Sequence, residues 1–211
     1  MRFVLVASSL CLILVSTVLT LSVAVSDDLV YNIVYIHVPA SISALVCFTV
    51  LLVCSIKCLM AFKPDWDRVA AASAEVGLMM ALVLNVTGSI WAHAAWGVWW
   101  TLSLRLVTSA MLLFLYAAYL ILRTSFEDPI KRARISAVFG IIAFVDVPLV
   151  YISARFVNDM HRPDVSFDSR WQAAAFGLAI LGTLLFTTAL IWIRTEILRV
   201  RASIDASTQI R

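Results

Sequence analysis

Trp91-Ala92-His93-Ala94-Ala95-Trp96-Gly97-Val98-Trp99-Trp100 holds four of the chain's seven tryptophans. The run follows neither a helix heptad nor a strand alternation. It stands between two long apolar segments, with the polar breakers Thr87-Gly88-Ser89 in front of it and Arg105 behind it. Tryptophan combines a broad apolar ring with a single N–H donor, so it gathers at the headgroup level of bilayers. The run therefore marks a point where a membrane chain leaves the hydrocarbon. Two uses are open for it, an aromatic belt that anchors the chain or a flat surface that holds a flat ligand.

Composition agrees with a membrane setting. Of 211 residues 63% are hydrophobic and only 14% charged, and the mean hydropathy is +0.98, whereas a soluble domain is roughly half apolar and a quarter charged. The chain reads as an integral membrane protein with no soluble domain left over. Its net charge of +3 comes from basic residues spread among connecting segments, which reports topology and not nucleic-acid binding. Cys11, Cys47, Cys54 and Cys58 fall inside apolar stretches and read as small buried hydrophobes. Metal binding by Cys54 and Cys58, one helical turn apart, is the alternative. No Cys-x-x-Cys-His occurs, so the chain is not itself a c-type cytochrome.

Working outward from the tryptophans, the preceding span covers residues 69–85 and the following one 104–122, each near the roughly 20 residues a helix needs to cross the hydrocarbon. Earlier in the chain, residues 3–25 are too long for a signal-peptide core and read as a retained span. Cleavage after Ala24-Val25-Ser26 is the alternative. Residues 27–38 form an outer connection whose Leu29, Ile33 and Ile36 suggest an amphipathic segment lying in the interface. Pro39 then opens a span over 40–62, and 63–68 is a polar turn. A charged loop at 123–134, a fifth span at 135–156, a polar loop at 157–170, a sixth span at 171–193 and a basic tail at 194–211 complete the chain. The expected fold is all-α: a single six-helix membrane domain over 1–211, with an outer tryptophan-rich loop at 86–103 and outer histidine-bearing loops at 26–38 and 157–170.

Lysine and arginine favour the cytoplasmic side. Twelve of the sixteen fall on one side of this topology and four, Arg105, Arg155, Arg162 and Arg170, on the other. Both termini are thus expected in the cytoplasm and the tryptophans outside. His37, His93 and His161 all land on that outer side. Imidazole is a common axial ligand of haem iron, and two loops can approach a porphyrin from opposite faces without fixed sequence spacing. His37 and His161 have that relation, with His93 in the aromatic surface between them. Arg105 and Arg155, at the outer ends of their spans, suit haem propionates through bidentate pairing; snorkelling to lipid phosphate is the other reading.

Asp146 is different in kind, because it falls inside the fifth span, two residues before Pro148. An ionisable group there is costly and marks a site or a paired partner. Proline removes a helix donor, so a kink is expected at that point. The candidate partners for a protonated Asp146 are Asn85, Thr87 and Ser89.

Several segments together carry a family resemblance. Val34-Tyr35-Ile36-His37-Val38-Pro39-Ala40, Thr87-Gly88-Ser89-Ile90-Trp91, Trp96-Gly97-Val98-Trp99-Trp100 with Arg105-Leu106, and Val147-Pro148-Leu149-Val150-Tyr151 followed by His161 resemble the haem exporter protein C family. The resemblance implies a six-span protein of the bacterial inner membrane that holds haem b at the periplasmic face and serves cytochrome c maturation. It further implies axial ligation by His37 and His161 and a haem-facing surface of Trp91, Trp96, Trp99 and Trp100. The implied partners are a periplasmic haem chaperone, the ABC transporter subunits of the same pathway and the lipid bilayer, with no nucleic acid.

The chain departs from that pattern in two places. Where the family has a further Trp-Asp pair and a later Thr, this sequence has Leu102, Ser103 and Val107. Asn158-Asp159-Met160-His161 lacks the paired tryptophans expected before the histidine, and Val157 stands in that region. Two other functions compete. A transporter subunit would use Asp146 and Pro148 at a broken helix, although the halves show no obvious repeat. An enzyme such as a haem lyase would need a nucleophile and base, and no Ser-His-Asp or Cys-His pairing is present, so a non-enzymatic role is expected.

Overall fold

A computed structural model describes residues 2–22, 32–156, 167 and 169–208. Regular structure among these is helical: α1 (Arg2–Ser22), α2 (Val34–Met60), α3 (Pro64–Trp96), α4 (Leu104–Thr124), α5 (Pro129–Ala143), α6 (Asp146–Phe156) and α7 (Arg170–Thr208). Among the described residues six helical stretches are long and apolar enough to cross a membrane, with α5 and most of α6 forming one of them. The all-α, six-span expectation holds, and the chain is a multi-pass membrane protein.

α2 lies at the centre, packed on α3, α5 and α7, while α1 lies along α7. Small residues allow this closeness, as is usual where helix association depends on packing more than on water exclusion. A side chain at Gly77 on α3 would place its Cβ 2.6 Å from the Phe48 ring of α2. Phe48 in turn stacks on Tyr116 of α4, with ring centroids 3.5 Å apart and 10° between planes. Ala44, Leu51, Cys54, Ala74, Leu112 and Val147 complete the core around this stack. Cys47, Cys54 and Cys58 are buried as expected, whereas Cys11 is exposed on the outside of α1. Among the described residues no group of three potential metal-ligating side chains comes together.

The helices are longer than the apolar runs. Thr87-Gly88-Ser89 does not break α3, because the Thr87 hydroxyl donates to the Val83 carbonyl at 2.6 Å and is satisfied within the helix. The turn expected at 63–68 shortens to three residues, since Pro64 takes the first position of α3 and Asp65 and Asp67 lie in its first turn, where carboxylates complement the helix dipole. Pro39 lies inside α2, not at its start, so Val34–Val38 form the beginning of that helix instead of a separate segment before it. The basic tail is helical to Thr208, held by Arg199 bonding Asp65 and Arg194 pairing with Glu75.

Helix ends carry their own signals. Ser169 and Gln172 form a reciprocal capping box at the start of α7, with bonds of 3.2 and 3.3 Å. Asp128 caps α5 by accepting from Ile130 and Lys131 N–H, and the Lys131 and Ile130 amides hold its carboxyl below the usual carboxylate range.

The kink expected near Pro148 is a full interruption at Phe144–Val145. Pro148 has no N–H for the Phe144 carbonyl, which accepts from Val147 N at 3.0 Å instead. The α5–α6 break sits at that displaced bond. Asp146 opens α6 with 4% of its surface exposed, and neither carboxylate oxygen has a hydrogen-bond partner among the described residues. The expected bonds to Asn85, Thr87 or Ser89 do not form. Asn85 instead bonds the Ala81 and Ser109 carbonyls, and Thr87 meets His37.

Candidate functional site

Antiparallel packing of α2 on α3 brings the N-terminal turns of α2 beside the C-terminal turns of α3. His37, in the first turn of α2, places Nδ1 2.9 Å from the Thr87 hydroxyl oxygen. Its ring lies against Gly88, where a Cβ would stand 3.1 Å from His37 Cε1. Glycine inside a helix costs roughly 1 kcal/mol relative to alanine, and here it gives the imidazole room. Ser109 of α4 is tied to the same stretch of α3 through the Asn85 amide at 3.3 Å.

One turn further along α3, the tryptophans begin. Ala92, Ala94 and Ala95 are strong helix formers, so α3 runs through Trp91 and Trp96 before Gly97 ends it. Residues 86–96 of the loop expected at 86–103 are therefore helix. Gly97 adopts φ +73°, a left-handed cap, and its N–H bonds the His93 carbonyl at 2.9 Å. This reversal folds the next residues back along the helix end. Trp99 lies parallel on the His93 imidazole, 4.1 Å between centroids and 3° between planes, while Trp91 and Trp96 meet edge to face at 4.8 Å. Trp99 and Trp100 are 58% and 46% exposed, and Val98 and Leu102 beside them are also open. The result is an outward aromatic surface continuous with the helix that seats His37.

Ser103 ends the segment as the N-cap of α4. Its hydroxyl accepts from Leu106 N at 3.4 Å and its carbonyl from Val107 N at 3.0 Å. Serine and aspartate are comparable N-caps, so Ser103 supplies a cap acceptor at the position where the family pattern has an aspartate. Arg105 follows in the first turn of α4 and is half-buried. Tyr35, on α2 two residues before His37, reaches the Gln172 carbonyl of α7 at 3.4 Å and packs edge-on against Phe176. Trp171 beside it lies under the Arg170 guanidinium at 5.2 Å. The tryptophans, His37, His93 and Arg105 thus share one end of the bundle. His161 lies outside the described residues, as does the side chain of Arg155.

A family model described as Heme exporter protein C matches residues 1–209. The chain belongs to the haem exporter protein C family. It is 30% identical over 178 residues to Heme exporter protein C of Bradyrhizobium diazoefficiens, covering 81% of this chain and 68% of that one. It is likewise 30% identical over 132 residues to Heme exporter protein C of Escherichia coli K12, covering 63% and 54%. The Rhodobacter capsulatus protein of the same name is 28% identical over 175 residues, 79% of this chain and 72% of the relative. The match to the Escherichia coli protein thus spans about half of that relative's length.

Sequence reasoning placed Thr87 and Gly88 among chain breakers and missed them as the surroundings of His37. The available signal was a glycine within a helix-forming run beside a small hydroxyl residue. The His93–Trp99 stack was visible only as shared membership of one segment. The Ser103 cap was legible as a serine just before an apolar run.

Proposed function

We propose that this chain holds haem b as cargo at the outer face of the cytoplasmic membrane and presents it for cytochrome c maturation. Its termini then lie in the cytoplasm, and the aromatic end of the bundle faces the periplasm. The observation that carries this reading is the seating of His37 of α2 against Thr87 and Gly88 of α3, one turn before Trp91, so that a potential iron ligand is held by the helix whose C-terminal end bears the tryptophan cluster.

In this reading His37 and His161 supply the two axial nitrogens. Trp91, Trp96, Trp99 and Trp100 supply apolar area for the porphyrin plane. Arg105 and Arg155 pair with the propionates; a guanidinium in the first turn of α4 opposes the helix dipole, and a neighbouring carboxylate offsets that cost. The iron supplies the affinity for imidazole, and the chain supplies position and exclusion of water. No bond-making side chain is assigned, so the role is handling and not enzymatic. A periplasmic haem chaperone takes the cargo from the exposed Trp99 and Trp100 side, and ABC transporter subunits of the pathway are the membrane partners.

An absorption spectrum of the purified protein tests the ligands. A low-spin, bis-histidine spectrum is expected, with its loss in His37→Ala and in His161→Ala. Unchanged spectra in both variants would refute the assignment.

Asp146 favours a second reading, in which a small solute crosses the membrane at the α5–α6 interruption. Asp146→Asn would then abolish transport while haem content stays constant.

A further inference from the structure

We infer that Thr87 is a positioning residue that fixes the tautomer of His37, placing the proton on Nδ1 and the lone pair on Nε2. A threonine hydroxyl has one proton to give and two lone pairs to receive with. The Thr87 proton is committed within its own helix, since Oγ1 lies 2.6 Å from the Val83 carbonyl, which has no proton to offer in return. The 2.9 Å contact between Thr87 Oγ1 and His37 Nδ1 therefore has a single polarity, with the imidazole donating and the hydroxyl accepting. A neutral imidazole that donates from Nδ1 carries its lone pair on Nε2.

Gly88 strengthens the constraint. Any side chain there would begin 3.1 Å from Cε1 and 3.7 Å from Nδ1 of His37, pushing the ring edge away from the hydroxyl. The consecutive pair thus sets both the proton and the plane of the imidazole. Donation from the second ring nitrogen is how metal-bound histidines are generally oriented and made more basic. As a role toward haem, the inference rests on His37 being an axial ligand. As a statement about the tautomer, it stands on the Thr87 geometry alone.

The full chain in lipid nanodiscs, labelled with 15N-histidine, tests both parts. The sequence has three histidines, and His37→Ala identifies the relevant signals. His37 is expected as the Nδ1–H tautomer, shifting toward Nε2–H in the isosteric Thr87→Val and restored in Thr87→Ser. After haem loading, Thr87→Val should raise the reduction midpoint potential, because an imidazole that no longer donates is a weaker electron donor to ferric iron, and Thr87→Ser should restore it. An Nε2–H tautomer in the unaltered protein, or a Thr87→Val variant that leaves the tautomer unmoved, overturns the inference. If the tautomer follows Thr87 while His37→Ala leaves the haem spectrum intact, the ligand reading fails and the tautomer assignment survives.

Discussion

Arg123, in the last turn of α4, grips Asp67, in the first turn of α3, through two bonds of 2.6 and 2.8 Å, with side chains only 13% and 11% exposed. Tyr119 accepts a weaker contact from the same guanidinium at 3.5 Å. The fork geometry is specific to arginine. Removing one partner from a buried pair strands the other charge, a loss of about 3–5 kcal/mol. Arg123→Ala should therefore lower unfolding stability in detergent by about that much, and Arg123→Lys by less. The Asp67→Ala/Arg123→Ala double variant should cost less than the sum of the singles. A loss below about 1 kcal/mol in the Arg123→Ala variant would show that this clasp is not holding α3 to α4.

Gly97 offers a backbone test free of packing effects. It adopts φ +73°, and a Cβ built there meets nothing within 4 Å. A left-handed conformation costs an L-residue about 1–2 kcal/mol, so Gly97→Ala should destabilise the end of α3 by that amount. The fold-back of Trp99 onto His93 depends on this turn, and near-UV circular dichroism from the tryptophans should weaken in parallel. Unchanged tryptophan signals would mean that the stack forms without the cap.

Span number was legible because six apolar runs of membrane length leave little freedom. Span ends were not. Asp65 and Asp67 look like signals to leave the hydrocarbon, yet both lie within α3 and meet arginines far along the chain, Arg199 and Arg123, while Glu75, inside the expected third span, pairs with Arg194 of the expected tail. Such pairs cannot be inferred from local pattern, and they lengthen α3 and α7 beyond the apolar stretches. At the candidate site the residue types were legible, His37 and the tryptophans in particular. Thr87 and Gly88 were not, because their role depends on α2 lying against α3. Pro148 was informative about position, since its missing N–H acts locally, while the isolation of Asp146 followed from tertiary packing.

Ser103 tests whether the departure from the family pattern matters for folding. Ser103→Ala removes the acceptor that receives Leu106 N–H and should cost about 1 kcal/mol of stability. Ser103→Asp should be neutral or slightly stabilising, since a carboxylate caps equally well and complements the helix dipole. Thermal unfolding of the three proteins in one detergent decides it. A destabilised Ser103→Asp would mean that the carboxylate meets an unfavourable environment at this end of the bundle.

Asp146 separates stability from function. Its two oxygens are buried and lack hydrogen-bond partners among the described residues, and an unmet buried polar group costs about 1–3 kcal/mol, at a depth where ionisation is costlier still. Asp146→Ala should therefore stabilise the protein toward unfolding, reduced somewhat by the small cavity left beside Tyr116 and Val147. A loss of 1 kcal/mol or more would instead reveal a partner that holds the carboxyl in the folded state. Measuring haem content on the same samples separates the competing roles. A more stable variant with unchanged haem places Asp146 outside haem handling and leaves solute passage through the α5–α6 break as its use. A more stable variant that no longer retains haem makes the break part of the haem-holding architecture, since α6, which Asp146 opens, ends five residues before His161 in the sequence.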